Sequence, residues 1–80
     1  MITNENSTAF ITDLLVTNVV DVLAKRSGKT VTDTLREFMK SRTYALLLNP
    51  ESYLYLESPT YVLDMIDAEQ SGDWDRWLEV

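Results

Sequence analysis

The sequence predicts an all-α fold: a small bundle of three main helices, at about residues 8–26, 31–42 and 59–71, with one or two short helices besides. Three observations carry this. Apolar residues recur at three- and four-residue steps, helix-starting and helix-stopping residues stand at the ends of those runs, and the 80 residues contain only two Gly and two Pro. One domain, residues 1–80, is expected, and a chain of this size buries only roughly 63% of its unfolded surface, so the core is thin.

In the first helix, Phe10, Ile11, Leu14, Leu15, Val19, Val22 and Leu23 follow the helical period, while Asp13, Thr17, Asp21 and Lys25 form a polar i, i+4 stripe. Ser7 or Thr8 suits the N-cap. Asp21 and Lys25 are ordered for a helical ion pair, and Gly28 is the left-handed stop. Val16 and Val20 widen the apolar arc to about half the circumference. That exceeds what so small a protein is expected to cover, which makes both valines candidate partner contacts and predicts a homodimer. Thr30, with Asp33 three residues on, starts the second helix; its stripe is Val31, Leu35, Phe38 and Met39. Thr43–Asn49 reads as a short helix stopped by Asn49-Pro50. Tyr53-Leu-Tyr-Leu56 alternates like a strand but has nothing to pair with, so it reads as irregular. Ser58-Pro59 is an N-cap followed by proline at the first helical position. The third main helix places Tyr61, Val62, Met65 and Ile66 on one face, Asp64 and Asp67 on the other, and ends near Ser71-Gly72. Asp73 can cap a last turn carrying Trp74, Trp77 and Leu78.

Composition narrows the chemistry. Without Cys or His there is no thiolate or imidazole to act as nucleophile, general base or zinc ligand. Gly28-Lys29-Thr30 has the ending of a phosphate-binding loop, but position 23 is Leu where the loop needs its first glycine, and a helix precedes it instead of a strand. Asp64 and Asp67, with Asp13 elsewhere, are the carboxylates to consider for acid–base or metal work; a small helical domain offers little desolvated pocket to set their pKa values apart. No enzymatic activity, cofactor or metal is expected. The start Met1-Ile-Thr-Asn-Glu-Asn lacks a basic region followed by an apolar stretch, and the longest apolar runs, such as Ala45–Leu48, are far short of a membrane span. A cytoplasmic chain that does not enter membranes is expected.

The net charge of −6 is unevenly spread. Residues 1–24 carry Glu5, Asp13 and Asp21 with no base, residues 25–42 carry six bases against two acids, and residues 43–80 carry eight acids against Arg76 alone. An acidic total opposes polyphosphate. The basic stretch leaves one alternative, a small DNA-binding regulator that uses residues 31–42 as recognition helix, with Lys29, Arg36, Lys40 and Arg42 on the phosphates; Asp33 and Glu37 on that helix oppose it. The leading expectation is a protein–protein interaction module. Tyr53, Tyr55, Trp74, Trp77 and Leu78 stand among acids, and aromatic side chains with a polar tip anchor interfaces, so they are candidate contacts for a basic protein partner.

The residues Leu46-Leu47, Tyr53-Leu54, Glu57-Ser58-Pro59 and Tyr61-Val62, within residues 46–62, resemble a pattern in small uncharacterised bacterial helical proteins encoded beside toxin–antitoxin components. The resemblance implies an antitoxin-like or regulatory subunit and carries over no catalytic residue.

Overall fold

The computed structural model describes the backbone of residues 4–73, with side chains from Thr8 onward. Four α-helices follow one another: α1 (Asn4–Ser27), α2 (Val31–Phe38), α3 (Arg42–Leu48) and α4 (Pro59–Ser71), with two 3-10 turns, Pro50–Ser52 and Leu54–Leu56, between α3 and α4. No strand occurs among the described residues. The protein is an all-α bundle. No described helix is long and apolar enough to cross a membrane.

The helix ends obey local chemistry. Gly28 (φ 74°) and Gly72 (φ 85°) leave α1 and α4 in the left-handed region, which residues with a Cβ avoid. Thr30 caps α2 by accepting from the Asp33 N–H, and Ser58 caps α4 by accepting from the Tyr61 N–H. Lys25 Nζ lies 3.2 Å from Asp21. Ser7 and Thr8 are not caps, because α1 already starts at Asn4.

Two further boundaries correct the sequence reading. The second helix does not reach Arg42. It ends at Phe38, and Ser41 divides what periodicity joined: its hydroxyl donates to the Phe38 carbonyl (2.6 Å) and accepts from the Tyr44 N–H (3.1 Å), closing α2 and opening α3. The predicted stripe of α2 is also shifted. Phe38 and Thr34 are buried, Leu35 is half-buried, and Val31 and Met39 are exposed.

The segment 50–56 is neither strand nor loop but two 3-10 turns hinged at Tyr53, whose φ of 56° is left-handed without being glycine. The Ser52 hydroxyl holds this bend. It lies 2.8 Å from both the Leu46 and Asn49 carbonyls and accepts from the Leu54 N–H.

The core lies where α1, α2, α4 and the Leu54–Leu56 turn meet. It contains Leu15, Val19 and Val20 of α1, Phe38, Leu47, Leu54, and Val62, Leu63, Met65 and Ile66 of α4. No buried side-chain nitrogen or oxygen lacks a hydrogen-bond partner among the described residues, as a low-dielectric interior requires.

Length sets the exposed end. The 24 residues of α1 rise about 36 Å at 1.5 Å each, whereas the 13 residues of α4 rise only about 20 Å. Among the α1 residues whose side chains are described, Thr12 is the first that is buried, and Ala9, Phe10 and Ile11 before it are exposed.

Candidate partner-binding surface

Eight large hydrophobic side chains are exposed among the described residues: Phe10, Ile11, Leu14, Val31, Met39, Leu48, Tyr53 and Leu56. Six belong to two segments that meet in space, the first half of α1 and residues 48–56. The turn Leu54–Leu56 packs on α1, and Leu48 and Pro50 face Thr8 and Thr12 across a groove of about 310 Å³. Phe10 and Leu56 are each 64% exposed. Phe10 and Leu14 share the outward stripe of α1 with Thr17, Asp21 and Lys25, opposite the side that carries Thr12, Leu15 and Val19 into the core. Scattered apolar exposure is ordinary, but a grouped patch marks an interaction surface.

The charges divide the same way. Four ion pairs are present among the described residues: Asp21–Lys25, Arg26–Asp67 (3.4 Å), Lys29–Glu37 (2.6 Å) and Asp33–Arg36 (3.2 Å). All four involve exposed side chains, so each adds only about 0–1 kcal/mol to stability. Their larger consequence is to neutralise the basic stretch. Asp13, Glu51, Glu57 and Asp64 have no ion-pair partner among the described residues, and the first three lie in or beside the apolar segments. The first half of α1 and residues 48–57 therefore each carry exposed apolar side chains together with unpaired acids.

The predicted contact residues fall unevenly on this surface. Tyr53 is exposed and Tyr55 half-buried, their ring centroids 6.5 Å apart. Val20 is not available to a partner: at 2% exposed it is core, because α2 and α4 cover that side of α1. Val16 is half-buried against the same core. Trp74, Trp77 and Leu78 lie outside the described residues. Of the residues assigned to DNA in the alternative reading, Lys29 and Arg36 are engaged by Glu37 and Asp33. Lys40 and Arg42 are exposed and in no ion pair among the described residues. Phe10, Ile11 and Leu14, which the sequence places on the wide apolar arc of the first helix, are the part of that arc left exposed. The signal for this was the length of the first helix against the shortness of everything available to cover it.

A second concavity, of about 400 Å³, lies between the end of α1, α2 and α4, and its walls include Arg26, Lys29, Glu37 and Asp67. These four already pair with one another, so they offer a ligand no unmet charge. Asp64 and Asp67 do not form a working pair: Asp64 is solvated and Asp67 holds Arg26. No group of three acidic side chains suited to a metal ion occurs among the described residues.

The Glu69 carboxylate is perturbed, and its role is structural. Glu69 of α4 receives the Arg42 N–H (2.9 Å) on Oε2, and the Thr43 N–H (3.0 Å) and hydroxyl (2.8 Å) on Oε1. Burial alone would raise its pKa. The hydrogen bonds from the Arg42 N–H and from the Thr43 hydroxyl and N–H, with the Arg42 charge, outweigh burial and hold it below the ordinary glutamate value. With the Ser41 hydroxyl accepting from the Tyr44 N–H, and the Ser41 N–H donating to the Phe38 carbonyl, the four N–H groups of Ser41–Tyr44 that lack an intrahelical partner at the start of α3 are all satisfied.

No family model, curated protein or solved structure matches this chain.

Proposed function

We propose that this chain is a non-enzymatic interaction subunit, antitoxin-like or regulatory, that covers a basic surface on a protein partner with its acidic apolar segments. The observation that supports this most is that two unmet needs occur on the same two segments, the first half of α1 and residues 48–57. Phe10, Ile11, Leu14, Leu48, Tyr53 and Leu56 are exposed to water, and Asp13, Glu51 and Glu57 beside them have no cation within the described residues. A basic partner with apolar anchors meets both. Apolar burial supplies the affinity, and charge complementarity supplies the rate and the selectivity. A partner whose own ligand is a polyanion has such a surface.

The test compares complexes recovered from the source cells with the wild-type chain and with Glu51→Lys/Glu57→Lys. The reading expects a stoichiometric basic protein with the wild type, and its loss in the double variant. A wild-type chain recovered with no stoichiometric partner, or a partner retained by the variant, contradicts it. A partner that proves to be a second copy of the chain replaces the basic protein with a homodimer.

A further inference from the structure

Resting on that reading, we propose that the groove between the first turns of α1 and the Leu48–Pro50 corner receives a basic amphipathic helix of the partner. Its walls are Thr8, Ala9, Thr12 and Asp13 on one side and Leu48 and Pro50 on the other. The wall from α1 is a pair of i, i+4 rows, Thr8–Thr12 and Ala9–Asp13. Rows of this kind leave grooves that accept the side-chain ridge of a second helix. An extended peptide has no place to add, because the described residues contain no sheet edge. A small polar ligand fits poorly, since apolar side chains and threonines predominate and, among the described residues, Asp13 is the only charged wall. Asp13 has no ion pair among the described residues, and Glu51 adjoins the far wall.

Charge selects among helical occupants. A second copy brings a net charge of −6 to an acidic rim. The chain's own segment 73–80 carries Asp73, Asp75 and Glu79 against Arg76 and brings acid to acid as well. A helix with leucine-like side chains on one face and Lys or Arg flanking them fills the groove and meets Asp13 together.

The test uses labelled synthetic peptides and fluorescence anisotropy. The probes are a Leu/Lys amphipathic helix, a Leu/Glu helix of the same pattern, and a scrambled Leu/Lys sequence. The full chain is used as wild type, Leu48→Ser, Asp13→Asn and, as an exposed apolar control outside the groove, Val31→Ser. The Leu/Lys helix is expected to bind the wild type more weakly as salt rises. Leu48→Ser should weaken it by about tenfold, because half-exposed leucine surface is no longer buried. Asp13→Asn should weaken it severalfold, and Val31→Ser should leave it unchanged. Leu/Glu and scrambled peptides should not bind. Equal binding of the scrambled peptide, indifference to Leu48→Ser, or sedimentation as a dimer held through Leu48 overturns the proposal. If the Leu/Lys helix fails while Glu51→Lys/Glu57→Lys still releases a basic protein, the groove assignment falls and the interaction reading stands.

Discussion

Replacing Glu69 with alanine removes the side chain through which α4 accepts three hydrogen bonds from the start of α3, and its cost follows from the geometry. Three donors lose their acceptor: the Arg42 N–H, the Thr43 N–H and the Thr43 hydroxyl. Arg42 is exposed, so its N–H recovers water at little cost. Thr43 is 0% exposed, and a buried donor left unpaired costs about 1–3 kcal/mol. Water entering the space left by the glutamate offsets part of this. The expected destabilisation is therefore about 2–3 kcal/mol, a large part of the ~4–12 kcal/mol typical of a domain this size. Urea denaturation followed by circular dichroism measures it. Thr43→Val should cost less in the Glu69→Ala background than alone, since its hydroxyl has by then lost its acceptor. The pH dependence has a definite sign. The folded value of Glu69 is depressed, so its contribution is complete above the unfolded glutamate range and is lost as pH falls through the folded value. The gap between wild type and Glu69→Gln should accordingly close below about pH 4. A Glu69→Ala chain within about 0.5 kcal/mol of wild type would refute the tertiary cap.

Neighbouring leucines should behave oppositely. Leu47→Ala, at a core position 1% exposed, is expected to cost about 2–5 kcal/mol in the same assay, whereas Leu48→Ser should cost less than about 0.5 kcal/mol. Gly28→Ala meets no atom within 4 Å of the new Cβ, so its loss of about 1 kcal/mol comes from the left-handed backbone alone. Phe10→Ser/Leu14→Ser should leave the urea midpoint nearly unchanged while lowering binding of a hydrophobic dye such as ANS. An unfolded double variant would show that these side chains belong to the core.

Much of the fold was legible because it depends on local chemistry. Gly28, Thr30, Ser58-Pro59 and Gly72 act through their own backbones and near neighbours, and each marks a boundary where expected. The break at Ser41 was hidden because the apolar period runs across it, and what confirms the restart of the helix comes from Glu69, far along the chain. Local propensity carries no trace of that contact. The surface was half legible. Tyr53 was recognised by residue type and lies exposed, but Val20, expected at a partner, is buried, and Phe10, which was not singled out as a contact, is exposed. Periodicity identifies an apolar stripe without saying which stretch finds cover. Helix lengths decide that, since the start of α1 extends past the buried part of its partners.

Leu56 and Met39 provide the most direct comparison for the central claim. Both are apolar and exposed, at 64% and 51%, but Leu56 lies beside unpaired acids and Met39 beside Lys40. A photoreactive residue placed at each position in turn, in the source cells, reports which one another macromolecule covers. The account predicts a discrete crosslink to a basic protein from position 56 and little from position 39. Equal crosslinking from both, or crosslinking from position 39 alone, would contradict it.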